Sequence, residues 1–231
     1  MKNKISVIIP CYNENNTILH VIDRVISAEP VDKEIIIVDD CSDDGSREKL
    51  INIQLKNVKV FFHKKNYGKG KSIRTGLEKV SNDVIIIQDS DLEYDPKEYL
   101  KLLKPFEETN ADIVYGSRFM GGGDYVRVHF FWHYVANKLL TYLSNIFTNL
   151  NMTDMETGFK LFKKKVIDSI QLKENGFGIE PEITIKLAKK KFKFYEVPIS
   201  YKGRSYDEGK KIKLKDAFRA VYCIFKYKFF N

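Results

Sequence analysis

Acidic side chains stand at alternate positions after a short apolar run near the middle of the chain. Asp89, Asp91 and Glu93 follow the apolar-rich residues 84–88, and Asp95 comes two places later. Carboxylates this close together repel one another unless a proton or a cation lies between them. A hard divalent cation held by two or three carboxylates keeps open coordination positions, which a diphosphate commonly fills. The pattern therefore indicates a divalent metal site that takes a phosphorylated ligand.

Other motif interpretations fail on spacing. An EF-hand loop that begins at Asp89 requires Gly at its sixth position and Glu at its twelfth, where Tyr94 and Leu100 stand. The segment NYGKGKS at 66–72 resembles a phosphate loop, but a single residue separates its two glycines, so we interpret it as a turn into a helix. The glycine-rich fingerprint of a dinucleotide enzyme is also missing after the first strand, where PCYN stands at 10–13.

Basic side chains that suit phosphate groups occur in the second half of the chain. They are Arg118, Arg127, Arg204, Lys210 and Lys211. Arginine is the stronger candidate, because its planar guanidinium donates to two phosphate oxygens at once. Taken singly, each of these side chains also fits a solvated surface charge.

The elements that must position these residues alternate between strands and helices. Runs rich in Ile and Val predict strands at 5–10, 34–39, 58–63, 84–88 and 111–115. Periodicity predicts helices at 17–26, 47–55, 70–80 and 96–106, the last capped by Asp95 with Pro96 at its first position. Near-continuous apolar strands that alternate with helices are typical of a parallel sheet covered on both faces. Ligands bind such a sheet at the carboxyl ends of its strands, which is where the acidic residues stand.

Length and composition indicate one folded domain in a reducing compartment. With 231 residues, 43% of them apolar and 30% charged, the chain can bury one large core and is poor material for disorder. Its three cysteines include no C-x-x-C pair, so neither a disulfide framework nor a zinc site is indicated. The sequence shows neither a signal peptide nor an apolar run of membrane-spanning length. We therefore expect a cytoplasmic protein.

Charge is distributed unevenly along the chain. The formal net charge is +8, yet the residues from 186 to the end carry 14 basic and 4 acidic side chains. Such a region suits an anionic partner. The segment AFRAVYCIFKYKFF at 217–230 predicts a basic, aromatic amphipathic helix, and 130–134 add further aromatic residues. Both fit peripheral attachment to a membrane surface, although ordinary packing of the same aromatic residues is an equal alternative.

An ordered set of motifs spans most of the chain. The motifs are VIIPCYNE (7–14), IIVDDCSDDGS (36–46), NYGKGKSIRTG (66–76), QDSDLEYDP (88–96), YGSRF (115–119), TDMETGFKLF (153–162), IEPEITIKLAKK (179–190) and YEVPISYKGR (195–204). In this order they resemble the family-2 inverting glycosyltransferases of the GT-A fold, in the branch of dolichyl- or polyprenyl-phosphate hexose synthases. The resemblance implies a single α/β domain with a Rossmann-like, mostly parallel sheet flanked by helices. It also implies a nucleotide-sugar-binding half at 1–120 and an acceptor-binding, membrane-facing half at 121–231.

The same resemblance assigns residues to the donor. Positions that hold the nucleoside match Pro10, Tyr12, Glu14, Val38 and Asp40. The D-x-D motif matches Asp89, Ser90 and Asp91. In this assignment Asp91 and Glu93 are the main ligands of Mg²⁺ or Mn²⁺, and Asp89 lies beside them, nearer the sugar and the ribose.

Further positions are assigned to phosphate and to the reacting sugar. Basic positions around the donor diphosphate and the acceptor phosphate match Arg118, Arg127 and Arg204, and Lys210 and Lys211 fall in a segment that closes over the nucleotide in relatives. Asp154 and Glu156 belong to a motif near the reacting sugar, whereas Glu180 and Glu182 are expected to pack or orient. The expected catalytic residues are Asp89, Asp91, Arg118 and Asp154.

The activity implied is transfer of a hexose from GDP-mannose or UDP-glucose to a dolichyl or polyprenyl phosphate at the cytosolic face of a membrane, with inversion. The metal and the arginines stabilise charge on the departing nucleotide diphosphate. A phosphate acceptor is already ionised near neutral pH and needs no strong base. A first alternative is transfer to a sugar hydroxyl in capsule, lipopolysaccharide or protein-glycan synthesis, which needs a carboxylate base such as Asp154. A second is a non-catalytic nucleotide-sugar or nucleic-acid binding module, but clustered carboxylates repel nucleic acid, so we expect no such partner.

Overall fold

A seven-stranded sheet lies at the centre of the computed structural model, which describes residues 4–121, 130–204, 211 and 214–230. The strands are β1 (Ile5–Cys11), β2 (Lys33–Asp39), β3 (Val58–Phe62), β4 (Val84–Ile87), β5 (Ile113–Ser117), β6 (Lys160–Lys163) and β7 (Phe194–Pro198). The helices are α1 (Ile18–Ser27), α2 (Ser46–Ile51), α3 (Lys69–Leu77), α4 (Tyr99–Glu108), α5 (Phe131–Thr148), α6 (Lys164–Ile167), α7 (Ile179–Ala188) and α8 (Leu214–Phe229). A 3-10 turn at Pro96–Glu98 precedes α4.

The strand order is β3-β2-β1-β4-β6-β5-β7, and most neighbours run parallel. β1 pairs with β2 and β4, so Ile8 lies opposite both Ile36 and Ile87. β2 pairs in parallel with β3, and β5 with β7, whereas β6 is antiparallel to β4 and β5. The predicted mostly parallel sheet is therefore confirmed. The reversed β6 places its first residue, Lys160, beside Ile87 at the carboxyl end of β4, so the segment before β6 reaches the expected ligand edge.

Apolar residues of the strands pack against helices on both faces of the sheet. Val7 and Ile9 join a core with buried residues of α1 and α4, and Ile8 and Ile36 join a second core with residues of α3 and α7. Because both faces are covered, the strands are near-continuous runs of Ile and Val. α3 lies close to β1, since a Cβ at Gly76 would come 2.5 Å from Ile8 Cγ2. Larger side chains are excluded there.

Element ends differ from the predicted ones by a few residues. The helices predicted at 47–55 and 70–80 end earlier, at Ile51 and Leu77. The cap predicted before α4 is present, since the Lys97 N–H donates to Asp95 Oδ1 at 3.1 Å. The strand predicted at 111–115 begins two residues later, because the Ala111 N–H donates to the Pro105 carbonyl of α4 at 3.1 Å and so closes the helix.

The helices α5 and α8 pack on α7 around a third, smaller core. Its buried residues are Leu140, Met155, Ile185, Ala220, Cys223, Ile224 and Tyr227. Glu174 fastens α8 to the body, because it accepts hydrogen bonds from Arg219 at 2.6 Å, Tyr227 at 2.7 Å and Lys226 at 3.0 Å. In the part of the chain that the structure describes, no helix has the length and apolar character needed to cross a membrane.

Candidate active site

Hydrogen bonds join the loops that follow β1, β2 and β4 at the carboxyl edge of the sheet. The Asn13 N–H donates to Ser42 Oγ and the Glu14 N–H donates to Ser46 Oγ, both at 2.9 Å. The Thr17 hydroxyl, just after the first loop, donates to the carbonyl of Ser90 at 3.0 Å. Three of the segments singled out in the sequence therefore form one site.

The guanidinium of Arg204 lies among three carboxylates of this site. Its Nη1 is 3.1 Å from Glu14 Oε2, its Nη2 is 2.9 Å from Asp91 Oδ2, and its Nε is 3.5 Å from Glu93 Oε1. Burial alone would lower the pKa of Arg204, but the three carboxylates outweigh burial and raise that pKa. Arg204 therefore supplies positive charge that holds these acidic side chains together.

Asp91 and Glu93 differ in how their charge is balanced. Asp91 is nearly buried, and burial together with the charges of Asp89 and Glu93 raises its pKa to about 8. Glu93 instead accepts hydrogen bonds at both oxygens, from the Tyr201 hydroxyl and from the Arg204 N–H, each at 2.7 Å. Glu93 thus anchors the segment around Arg204, whereas Arg204 offsets only part of the effect of burial and neighbouring carboxylates on Asp91.

The chemistry of these side chains fits a divalent cation, with Asp91 and Asp89 as the residues that would hold it. Carboxylate oxygens are the ligands that such cations prefer, and a cation would offset the burial and the repulsion that together raise the pKa of Asp91. Among the described residues, no three His, Cys, Asp or Glu side chains converge as a formed metal site. In this structure positively charged side chains neutralise the two carboxylates: Arg204 pairs with Asp91, and Lys69 pairs with Asp89. Glu93, the other expected ligand, already accepts one hydrogen bond at each oxygen, which leaves a second lone pair on each for a cation.

Lys69 is a site residue that the sequence analysis missed. Its Nζ lies 2.7 Å from Asp89 Oδ1 and 3.2 Å from Glu180 Oε1. Burial alone would lower the pKa of Lys69, but the two carboxylates outweigh burial and raise it. The segment NYGKGKS could have pointed to Lys69. Its glycine spacing does not match a phosphate loop, so the sequence analysis gave its first lysine, Lys69, no role.

Asp40, expected at the nucleoside, holds the turn that precedes Lys69. It accepts hydrogen bonds from the N–H groups of Gly68 at 2.6 Å and Tyr67 at 3.0 Å, and its Oδ1 lies 2.6 Å from His63 Nδ1. Gly68 has a φ of +101°, and a Cβ there would come 2.5 Å from the carbonyl oxygen of Asn175. Only glycine fits this turn, from which α3 begins.

The other expected nucleoside contacts divide into buried and accessible side chains. Pro10 and Val38 are buried within β1 and β2. Tyr12 is 37% exposed, and its ring centroid lies 5.9 Å from Lys211 Nζ. The same Nζ donates to Glu14 Oε1 at 2.7 Å. Tyr12 and Lys211 are therefore accessible at the end of β1, and the buried carboxylate of Glu14 lies against Lys211.

Arg118 and Asp154 form a buried, bidentate ion pair at the end of β5. Arg118 Nε donates to Asp154 Oδ2 and Nη2 to Oδ1, both at 2.7 Å. The N–H groups of Thr153 and Asp154 each donate to Glu196 Oε1 at 3.0 Å, which fixes the loop that carries Asp154. Asp154 therefore orients Arg118, and its carboxylate is already paired.

The remaining motif carboxylates have different surroundings. Glu156 Oε1 is buried with no hydrogen-bond partner among the described residues, and burial followed by the charge of Glu180 raises the pKa of Glu156 to about 7. Glu182 accepts from the N–H groups of Lys173 at 2.8 Å and Glu174 at 2.7 Å, and from Lys186 Nζ at 2.6 Å. Glu182 thus holds the loop before α7.

The expected phosphate-binding set is described in part. Arg127 and Lys210 lie outside the described residues. Arg118, Arg204 and Lys211 each pair with a carboxylate. A phosphate ligand would compete with those carboxylates for the same donors.

A mostly parallel sheet with one antiparallel strand, and acidic loops at its carboxyl edge, defines a GT-A type α/β domain. Residues 6–171 match glycosyl transferase family 2, and the chain belongs to that family.

Curated relatives align along nearly the whole chain. The dolichol-phosphate mannosyltransferase of Pyrococcus furiosus is 31% identical over 230 residues, which cover 97% of this chain and 64% of the relative. The undecaprenyl-phosphate mannosyltransferase of Micrococcus luteus is 27% identical over 220 residues, covering 90% of this chain and 87% of the relative. The chain thus spans just under two thirds of the length of the Pyrococcus relative.

Solved structures share the fold. The glucosyl-3-phosphoglycerate synthase of Mycobacterium tuberculosis, solved with Mn²⁺, uridine diphosphate and phosphoglyceric acid, superposes with a TM-score of 0.75 over 99% of this chain and 80% of that protein. The identity is 18%, so the likeness shows the fold alone.

Proposed function

We propose that this protein transfers a hexose from a nucleotide sugar to a polyprenyl or dolichyl phosphate, with inversion and with a divalent metal. The family and the two mannosyltransferase relatives support a sugar transferase that acts on lipid phosphates. The observation that carries the choice of acceptor is the pairing of Asp154 with Arg118. GDP-mannose and UDP-glucose are the proposed donors.

A phosphate acceptor and a hydroxyl acceptor make different demands on the site. A phosphate monoester loses its second proton near pH about 6 and is a ready nucleophile at neutral pH. A sugar hydroxyl needs a carboxylate that takes its proton as the bond forms. Asp154 would be that carboxylate, but both its oxygens accept hydrogen bonds from Arg118. The pair favours a role in which Asp154 orients Arg118 toward a phosphate.

An apolar surface lies beside Arg118, where a lipid acceptor needs one. Phe119 follows Arg118 in sequence and packs edge-on against Tyr134 of α5, with ring centroids 5.3 Å apart. At the start of the same helix, Phe131 and Trp132 are 66% and 75% exposed. A lipid phosphate bound at Arg118 would have exposed aromatic residues close to its hydrocarbon chain.

The basic helix α8 adds a second exposed apolar surface next to α5. Phe225 and Phe229 pack against Phe147 of α5, with ring centroids 5.0 and 5.7 Å from it, and Phe229 is also 60% exposed. Lys226 and Lys228 lie in the last turn of the same helix. Basic and aromatic residues together suit an anionic lipid interface. We therefore propose peripheral attachment at the cytosolic face of a membrane, through the half of the chain at 121–231.

The donor would occupy the edge formed by the half at 1–120. The Tyr12 ring offers an exposed face for stacking on the base. The carboxylates of Glu14 and Asp40 can accept hydrogen bonds from the base or the ribose once Lys211 moves away from Glu14 and the turn at Tyr67 moves away from Asp40. A divalent cation held by Asp91 and Asp89 would neutralise the diphosphate. Arg204 and Lys211 would pair with phosphate oxygens in place of their present carboxylates. Each of these is a charge-assisted contact on the leaving group, which grows negative as the bond to the sugar breaks.

The test is a transfer assay on the full chain with radiolabelled GDP-mannose and UDP-glucose, each with Mn²⁺ and dolichyl phosphate. The proposal expects label in the organic phase from one donor. Nucleotide release on a soluble sugar acceptor, without lipid product from either donor, would overturn it in favour of the hydroxyl-acceptor alternative.

A further inference from the structure

Buried charges of alternating sign join four motifs of the chain. Asp89 of the QDSDLEYDP motif pairs with Lys69 of the NYGKGKSIRTG motif at 2.7 Å, and Lys69 pairs with Glu180 of the IEPEITIKLAKK motif at 3.2 Å. Glu180 pairs in turn with Lys160 at 2.8 Å. Lys160 is fully buried, and its Nζ donates to the carbonyl of Met155 at 3.0 Å. Both residues belong to the TDMETGFKLF motif. The row thus runs from the proposed donor site into the core.

Charge, rather than hydrogen bonding, holds Glu180 in this row. Neither of its carboxylate oxygens has a hydrogen bond of regular geometry among the described residues, although both lie within ion-pair distance of an ammonium. A carboxylate that is 3% exposed is costly to bury without compensating charge. Glu180 therefore depends on Lys69 and Lys160, and Lys69 in turn is fixed between two carboxylates.

The backbone confines Asp89 from the opposite side. A Cβ at Gly158 would overlap Asp89 Oδ2, so the glycine allows the segment before β6 to lie directly against this carboxylate. Oδ1 faces Lys69, and Lys69 stands at the first position of α3, behind the Gly68 turn. Asp89 is thus held at one oxygen by an ion pair and at the other by close packing.

We propose that Lys69 is a positioning residue for the donor, which holds the Asp89 carboxylate in its binding orientation while Glu180 anchors Lys69. The inference rests on the proposed function, in which Asp89 and Asp91 hold the cation that would bind the donor diphosphate. Lys69 acts through Asp89 and not through a contact of its own with the donor. A lysine suits this place because its compact ammonium bridges two carboxylates.

A double-mutant cycle on the full chain separates these two modes of action. The variants are Lys69→Met, Asp89→Asn and their combination, and the probes are GDP and UDP titrated calorimetrically in the presence of Mn²⁺. We expect each single variant to weaken binding of the nucleotide that the wild type prefers by about tenfold or more. The combined variant should bind no more weakly than Asp89→Asn alone. Losses that multiply would show that Lys69 acts independently of Asp89 and would overturn the proposal.

Control variants separate positioning from folding. Lys71→Met lies on the same helix, outside the row, and should leave both binding and the melting temperature unchanged. Lys69→Arg keeps the charge and should retain part of the affinity. If Lys69→Met alone does not fold, Lys69→Gln keeps a polar side chain between the two carboxylates and leaves the pair of Glu180 with Lys160 intact. That variant should regain the melting temperature but not the affinity, and recovered affinity would contradict a role for the charge of Lys69.

The binding readout does not depend on the acceptor. A wild-type protein that binds nucleotide but forms no lipid-linked product would overturn the proposed acceptor, and the cycle would still decide the role of Lys69. A wild-type protein that forms lipid-linked product, with a Lys69→Met variant that binds nucleotide normally, would overturn the role of Lys69 alone.

Discussion

Asp154 accepts hydrogen bonds from Arg118 at both carboxylate oxygens, from Nε to Oδ2 and from Nη2 to Oδ1, each at 2.7 Å. The carboxylate of Asp154 is completely buried. A bidentate pair fixes the plane of the guanidinium as well as its position. In the proposed function the pair would present an oriented donor to the acceptor phosphate, and Asp154, which already accepts two hydrogen bonds from Arg118, would not serve as the base that a hydroxyl acceptor needs.

Asp154→Asn should lower turnover with a lipid phosphate about 100-fold or more, because an amide cannot accept both guanidinium hydrogen bonds and Arg118 would lose its orientation. Steady-state kinetics at neutral and alkaline pH would measure the loss. Asp112→Asn is the control, since Asp112 pairs with Lys163 at 3.2 Å on a different part of the surface and should change turnover little. A loss that disappears at alkaline pH would instead identify Asp154 as a base.

Glu156→Gln tests a second buried carboxylate of the TDMETGFKLF motif, whose Oε1 has no hydrogen-bond partner among the described residues. Transfer to lipid phosphate should stay within about threefold of wild type, because an ionised acceptor needs no base. A loss of about 100-fold or more, confined to hydroxyl acceptors, would support the alternative function.

The pH dependence of the free energy of unfolding provides a second test of Glu156. Burial raises the pKa of Glu156 from 4.5 to about 7, so the folded state holds a proton that the unfolded state has released between those values. Its contribution to the free energy of unfolding is therefore greatest below pH 4.5 and falls as the pH rises to about 7. Urea unfolding of wild type and Glu156→Gln at both ends of this range would show it, as a gain in relative stability of the variant at the higher pH. An unchanged difference between the two proteins would contradict the raised pKa.

Glu174→Gln should loosen α8 from the body. Burial alone would raise the pKa of Glu174, but hydrogen bonds from Tyr227, Arg219 and Lys226 outweigh it and hold that pKa at about 2. The stability is therefore present above pH 4.5 and is lost as the pH falls toward 2. At neutral pH the substitution should cost roughly 3 kcal/mol and lower the melting temperature by about 6–12 °C.

The control for Glu174 is Asp168→Asn. Asp168 pairs with Lys164 at 2.5 Å but its side chain is 51% exposed, so its removal should cost less than about 0.5 kcal/mol. Thermal unfolding at neutral and acid pH would compare the three proteins. A Glu174→Gln variant that melts with wild type at neutral pH would contradict the fastening of α8.

Phe131→Ser with Trp132→Ser tests the membrane face. The two side chains should bury apolar surface in the lipid interface, and their loss should weaken binding to anionic vesicles by about tenfold or more. Val31→Ser is the control, because Val31 is 65% exposed and comes just before β2, away from α5. Sedimentation with vesicles would contradict the proposal if the control lost as much binding as the double variant.

Sequence periodicity predicted the sheet well because parallel strands covered on both faces carry an uninterrupted apolar signal. Asp89 and Asp91 were singled out from type and spacing, since alternate carboxylates directly after a buried strand repel one another and so indicate a nearby cation. The sequence did not predict that β6 runs antiparallel to its neighbours, because the pattern of a four-residue strand does not indicate whether it pairs in parallel or antiparallel.

Pairings across long stretches of sequence could not be predicted from local patterns. Lys69 lies twenty residues before Asp89 and far from Glu180, and only the fold brings them together. The same holds for Arg204 at Asp91, and for Glu93, whose oxygens are taken by Tyr201 and Arg204. The sequence shows which residue types are present, whereas the tertiary structure determines which partner each side chain meets and therefore which role it has.

Two acceptors that differ only in the phosphate test the central claim most directly. Polyprenyl phosphate and the corresponding polyprenol would each be offered with the labelled donor and Mn²⁺, with Asp91→Ala as the inactive control. Label should pass to the polyprenyl phosphate alone, and Asp91→Ala should transfer none. Equal or faster transfer to the polyprenol would contradict a site built for an ionised phosphate.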